Sequence, residues 1–287
     1  MKKFFTMLTV LVMLATLTSC TGDKLTMKKV VEANKTEILL EKYENVHIIG
    51  TANGEKYIEY YLTEDISYEE GSGRATYLTD DMGYMHNEGV FSRLTYFSRD
   101  GLLDNVERRE EKYQYVFLSE DSLHEKILSV SEVDGKITVI TEMNEKTLDK
   151  IVGKEGLESF VGEYVIDAET YELISGKGTF VGEDGTTVIL AGEFTYDSDE
   201  APEKLATILE YVNQKDDLRT ATLVFNPGTR KEKTEYIKVP RGIGISLAND
   251  VDTVNSYGLY ADADCTKPYS NNGDFDSDTT VYIKWKK

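Results

Sequence analysis

Hydrophobic and polar positions change period several times along the 287 residues. Lys2 and Lys3 precede an apolar run from Phe4 to Leu17, and small residues follow it. Residues 26–46, TMKKVVEANKTEILLEKYENV, place Met27, Val30, Val31, Ile38 and Leu39 near helical spacing and predict one amphipathic helix. Gly-containing turns between β-rich runs then begin with VHIIGTANGEKYIEYYLTEDISYEE. Similar runs recur as RATYLTD, VFSRLTYF, KYQYVFL and EKILSVSEVDGKITVITEM, with Asp134-Gly135 as a hairpin turn in the last. NEKTLDKIVG (144–153) predicts a second helix. Two or three further strands follow, with a turn at Asp184-Gly185. APEKLATILEYV (201–212) predicts a helix whose first turn tolerates Pro202.

The last seventy residues alternate on their own. Leu223 and Phe225 sit two apart, as do Tyr236 and Lys238, then Val281, Ile283 and Trp285. Asn226-Pro227-Gly228 and Pro240-Arg241-Gly242 read as turns. About four strands in this length make a small β-rich domain.

Charge sharpens the division. Residues 217–287 hold 10 basic and 10 acidic groups, whereas 20–216 hold 20 basic and 42 acidic groups. All four prolines lie in the last third. Two compositional regimes therefore predict two domains meeting near 213–217. The overall charge of −20 excludes nucleic acid, which needs clustered cations on phosphate. It also argues against docking of the protein body on anionic lipid headgroups.

The first twenty residues read as an export signal, too short and wrongly flanked for a stable membrane span. Leu17-Thr18-Ser19-Cys20 resembles the bacterial lipobox. That resemblance implies cleavage before Cys20, a diacylglycerol thioether on its sulfur, and attachment to the outer face of a Gram-positive-like cell membrane. Two acyl chains anchor stably where one is marginal. Cys265 is then left with no intrachain disulfide partner.

Two further resemblances rest on longer stretches of the chain. EANKTEILLEKYENVHI and YVIDAETYELISGKGTF resemble LolA/LppX-like lipoproteins over about residues 25–212. The resemblance implies a half-barrel, an antiparallel sheet curved around helices, whose relatives carry or sense lipids and lipoproteins in the concave face. LVFNPGT, IKVPRGIGISL, GLYADADCTKPY and DSDTTVYIKW resemble an InlB B-repeat (Listeria–Bacteroides repeat), with Leu259 where that family usually has Trp. It implies a β-grasp-like fold with a spacer or protein-interaction role and no catalysis.

Candidate chemistry adds little to this. Asp262, Asp264, Asp274, Asp276 and Asp278 suggest Ca²⁺, but DFDSD lacks the loop glycine and distal Glu of a calcium loop, and turns use Asp routinely. His47, His86 and His124 lie far apart, and no Cys-x-x-Cys offers a zinc site. No Gly-x-Ser-x-Gly appears, and Cys265 has no His in its own segment to activate it. GIGIS lacks the spacing and context of a dinucleotide loop.

The resulting expectation is an α+β protein. A curved antiparallel half-barrel sheet with covering helices (25–212) follows a signal peptide (1–19) and a lipidated Cys20 with a short tether (20–24). A linker (213–217) leads to a small β-grasp-like domain (218–287). The function expected is that of a non-enzymatic, membrane-anchored surface lipoprotein without cofactor or metal. Its partners are a hydrophobic or lipid ligand on a face formed by Ile58, Tyr60, Leu62, Val139, Leu190 and Phe194, and a surface protein or cell-wall component. A filled, dry core explains the same six residues, since an apolar face is ordinarily packing. On that alternative the first domain is only the stalk of an adhesin or spacer.

Overall fold

The computed structural model describes residues 25–79, 83–87, 90–95, 118, 120–144, 147–148, 157–213, 217–247, 257–270 and 275–285. The signal and lipobox readings at 1–20, most of KYQYVFL, and all of 144–153 except 144 and 147–148 lie outside them. Contacts divide the chain into two compact units, Met1–Tyr57 with Tyr113–Asp197, and Ile58–Lys112 with Ser198–Lys287.

The first unit begins with helices α1 (Met27–Ala33) and α2 (Thr36–Lys42). One helix over 26–46 was expected. The break falls at Asn34 because its side chain is committed elsewhere, as described below. Thr26 caps α1 by accepting from the Lys29 amide at 3.4 Å. Met27, Val30, Val31 and Leu39 are buried, whereas Ile38 is 42% exposed and does not join them.

Six antiparallel strands complete the unit: β1 (Val46–Ala52), β7 (Lys126–Val133), β8 (Lys136–Asn144), β9 (Leu157–Asp167), β10 (Leu173–Gly182) and β11 (Thr187–Tyr196). Their order is β1-β11-β10-β9-β8-β7. Strict alternation gives one buried face, with Phe160, Gly162, Tyr164 and Ile166 on β9 and Ile137, Val139, Thr141 and Met143 on β8. Asp134 and Gly135 both have positive φ, at 51° and 73°, and close the β7–β8 hairpin in two residues. A 3₁₀ turn, Glu120–His124, leads into β7.

The second unit holds β2 (Glu55–Leu62), which starts at the division, and continues as an antiparallel meander. Its further strands are β3 (Ser67–Gly71), β4 (Arg74–Leu78), β5 (Gly83–Asn87) and β6 (Val90–Thr95). Helix α3 (Glu203–Val212) follows Pro202, as expected, and buries Leu205 and Ile208. The remaining strands are β12 (Leu218–Phe225), β13 (Lys233–Pro240), β14 (Gly244–Leu247), β15 (Tyr257–Tyr260) and β16 (Thr279–Trp285). β14 pairs parallel to β6. The others form a mixed sheet in the order β13-β12-β16-β15, with β12 and β16 parallel.

The boundary expected at 213–217 does not coincide with this division. Ala221, Leu223, Phe225, Val239, Val281 and Ile283 share one core with Tyr68, Ala75, Tyr77 and Tyr84 and with Leu205 and Ile208 of α3. Burial of that shared apolar surface makes the C-terminal segment part of a larger unit. The composition change marks a change in surface charge, which packing does not follow.

Candidate functional site

The six residues expected to form a ligand face divide between the two units. On β2, Ile58 and Tyr60 are half-buried and Leu62 is buried, all on one face of the strand. The opposite face carries Glu59, which is itself buried. In the first unit, Val139 and Phe194 are buried and Leu190 is half-buried, all on the inner face of the sheet.

That inner face has an unusual composition. Gly50 lies opposite Gly192, which lies opposite Gly176, which lies opposite Tyr164, which lies opposite Val139. The next row runs Ala52, Leu190, Gly178, Gly162 and Thr141. Five buried glycines thus form a patch without side chains across four strands. Ile48 and Phe194, a cross-strand pair, border it on one side. Phe160 and Phe180 border it on the other, with ring centroids 4.9 Å apart. Phe160 belongs to a separate small cluster with Met143 and Leu148.

Part of the patch is roofed by its neighbours. A Cβ on Gly162 would collide with the Thr141 hydroxyl and come within 2.9 Å of the Tyr164 ring, and a Cβ on Gly178 would come within 2.8 Å of the Phe160 ring. The Tyr164 and Phe160 rings therefore occupy the space that a side chain at Gly162 or Gly178 would fill.

This arrangement carries a buried acid. Glu125, 8% exposed, precedes β7 and accepts a hydrogen bond from the Thr141 hydroxyl. The Tyr164 hydroxyl lies 2.8 and 2.9 Å from its two oxygens. Burial pushes the Glu125 carboxyl up, against the downward pull of hydrogen bonds from Thr141, Tyr164 and Ser122. Burial likewise raises Tyr164, and the Glu125 charge adds to the rise. A carboxyl group held by the hydroxyls of Thr141, Tyr164 and Ser122 is a structural anchor for the 3₁₀ turn. Nothing in the sequence singles Glu125 out, since it is one of 52 acidic residues.

A second network ties the helices to the sheet. Asn34 donates to the carbonyls of Val30 (2.7 Å) and Tyr171 (3.0 Å) and accepts from the Leu173 amide (2.8 Å). Lys42 and Tyr43 both donate to Glu172, at 2.7 and 2.6 Å. The Tyr43 ring stacks on Tyr196 with centroids 4.6 Å apart. Tyr196 in turn donates to the Leu173 carbonyl at 2.7 Å.

Of the sequence's acidic candidates, Asp262 and Asp278 are taken up by backbone amides, and Asp274 lies outside the described residues. Asp262 accepts from the amides of Thr266 and Lys267, both at 2.9 Å, and from the Thr266 hydroxyl at 2.5 Å. These bonds lower its pKa and make it the pivot of a turn. Asp278 accepts from the Thr220 amide at 2.6 Å. Among the described residues no three His, Cys, Asp or Glu side chains converge as a metal site. No helix among them is long and apolar enough to cross a membrane. Cys265 is half-buried, and burial raises its thiol pKa.

No family model matches the chain, and no curated protein matches it in sequence. Solved structures give weak likenesses. The lipoprotein LppX of Mycobacterium tuberculosis superposes with a TM-score of 0.36 and 8% identity, covering 61% of this chain and 94% of that one. LprF of Mycobacterium bovis gives 0.35 and 10%, covering 61% and 94%. A LolA superfamily protein of Nitrosomonas europaea gives 0.22 and 9%, covering 63% and 97%. Scores this low do not establish a common fold.

Proposed function

We propose that the chain is a non-enzymatic surface lipoprotein, anchored through diacylglyceryl Cys20, that holds a hydrophobic or lipid ligand against the inner face of its first unit. The observation that carries this reading is the row of Gly50, Gly192 and Gly176, flanked by Ile48, Phe194 and Val139. A sheet face without side chains lets an acyl chain lie close to the backbone, and the apolar border excludes water from it. Val139, Leu190 and Phe194 are the three expected face residues that belong to this surface.

The C-terminal segment is proposed as a β-grasp-like module of InlB-repeat type that contacts a surface protein or wall component. The parallel pairing of its first and last strands, β12 and β16, supports that reading. A second reading, in which the first unit is only a stalk, is favoured by the Tyr164 and Phe160 rings lying over Gly162 and Gly178.

Native mass spectrometry of protein released gently from membranes separates the two. Co-purifying lipid, lost in a Gly176→Trp variant that retains its circular dichroism, supports the ligand reading. Protein free of lipid that also fails to take up a fluorescent fatty acid overturns it in favour of the stalk. Cys20→Ser is expected to release the protein into the medium, and unchanged membrane retention counts against the anchor.

A further inference from the structure

Strand β12 points Arg219, Ala221, Leu223 and Phe225 to the same buried side. Three of these are ordinary core residues. Arg219 is only 1% exposed and heads the largest fully buried side chains. Its Nη2 donates to the Ile243 carbonyl at 2.7 Å. Its Nε and Nη1 are buried without a partner. Among the described residues no carboxylate forms an ion pair with it.

An arginine in this position has no inexpensive escape. A buried lysine or glutamate can neutralise itself by shifting its pKa, but a guanidinium stays charged in proteins. A buried unpaired charge is strongly destabilising, and each buried orphan donor adds to that cost.

The groups around it define what would relieve it. The guanidinium carbon stands 5.8 Å from the centroid of the Phe275 ring. The Tyr269 hydroxyl is also buried and without a hydrogen-bond partner. Burial pushes the Tyr269 pKa up, and the Arg219 charge and the nearness of its N–H groups, which form no well-aligned hydrogen bond with the hydroxyl, draw it partly back. Tyr269 and Phe275 are themselves only half-buried, and their neighbours Ser270 and Asp276 are exposed. A half-buried ring, Phe275, thus stands beside the buried guanidinium.

We propose that Arg219 and Tyr269, with Phe275 as an aromatic wall, form a binding site for a single carboxylate group. The planar guanidinium and the phenolic hydroxyl donate to the carboxylate oxygens, and the ring shields the pair from water. The carboxylate comes either from a small free acid or from an acidic side chain of a bound polypeptide. The site lies wholly in the second unit and is independent of the apolar face of the first.

The test follows thermal unfolding of the full chain in sodium acetate against sodium chloride at equal ionic strength. Acetate is expected to raise Tm in a saturable manner beyond chloride. Arg219→Met is expected to abolish that difference, Arg219→Lys to weaken acetate at least tenfold, and Tyr269→Phe to weaken it severalfold. Should Arg219→Met fail to fold, the Arg219→Lys and Tyr269→Phe variants decide. A blocked Glu-containing hexapeptide that binds at least tenfold more tightly than acetate, with the same dependence on Arg219, assigns the site to a polypeptide partner. Equal binding assigns it to a free acid. No acetate-specific rise in the wild-type protein, an equal rise in the variants, or a response to phosphate alone overturns the proposal.

Discussion

The Tyr164 hydroxyl sits 2.8 Å from one carboxylate oxygen of Glu125 and 2.9 Å from the other, across 39 residues of sequence. Glu125 is charged at neutral pH only at a cost, because burial raises its pKa. A raised carboxyl pKa means that the folded state binds more protons than the unfolded state between the unfolded value and the raised one. Stability from this group is therefore complete below the unfolded pKa and lost as pH rises through the folded pKa. Glu125→Gln removes the titration. Chemical denaturation from pH 4 to 8 should show the wild-type protein losing stability relative to Glu125→Gln as pH rises. A pH-independent difference would count against the buried, raised carboxyl.

Gly162 makes room for that cluster. A Cβ there would strike the Thr141 hydroxyl and come within 2.9 Å of Tyr164. Both neighbours are held by Glu125, so neither can move without losing a hydrogen bond. Gly162→Ala should therefore destabilise the protein by about 1–3 kcal/mol, the range for overpacking a filled site. Urea denaturation measures it. A change below about 0.5 kcal/mol would mean that the ring and hydroxyl yield freely.

The hairpin at Asp134-Gly135 and the Pro202 start of α3 were legible because each depends on local backbone chemistry. Alternation placed β12 and β16 for the same reason. Asn34 shows what was not legible. Its neighbours keep helical spacing, and its partners Tyr171 and Leu173 lie 137 and 139 residues away, so the break between α1 and α2 is a tertiary event. Arg219 is in phase with Leu223 and Phe225, but a charge in a core phase contradicts the usual pattern, so alternation alone does not place it in the core. The shared core of β3–β5, α3 and β12 could not be read from composition, which reports surface charge.

Asn34 should prove indispensable to the first unit. Asn34→Ala leaves the buried Leu173 amide and the half-buried Tyr171 carbonyl without their partner. The buried amide orphan costs about 1–3 kcal/mol and the half-buried carbonyl less than that, so a loss of roughly 2–4 kcal/mol is expected from the pair. Asn34→Asp keeps the acceptor for Leu173 but loses both donors, and so should rescue only part of the loss. Hydrogen exchange of the Leu173 amide reads the effect directly. Unchanged protection in Asn34→Ala would show that the bond is dispensable.

Cys265 is expected to be an inert turn residue. Its φ of 53° lies in the left-handed region, its amide donates to the Asp262 carbonyl at 3.0 Å, and Asp262 braces the following residues. Burial raises the thiol pKa, Lys284 opposes this, and Asp262 and Asp264 add to the rise. Reaction with iodoacetamide at pH 8 should accordingly be slower than for a free cysteine, since only the thiolate attacks. Cys265→Gly removes a left-handed strain of about 1 kcal/mol, offset in part by glycine's greater unfolded freedom, and should leave Tm unchanged or slightly raised. Cys265→Val places a β-branched side chain at the same positive φ and should lower it. Fast alkylation, or a Cys265→Gly variant less stable than Cys265→Val, would show that the sulfur has a role the turn does not explain.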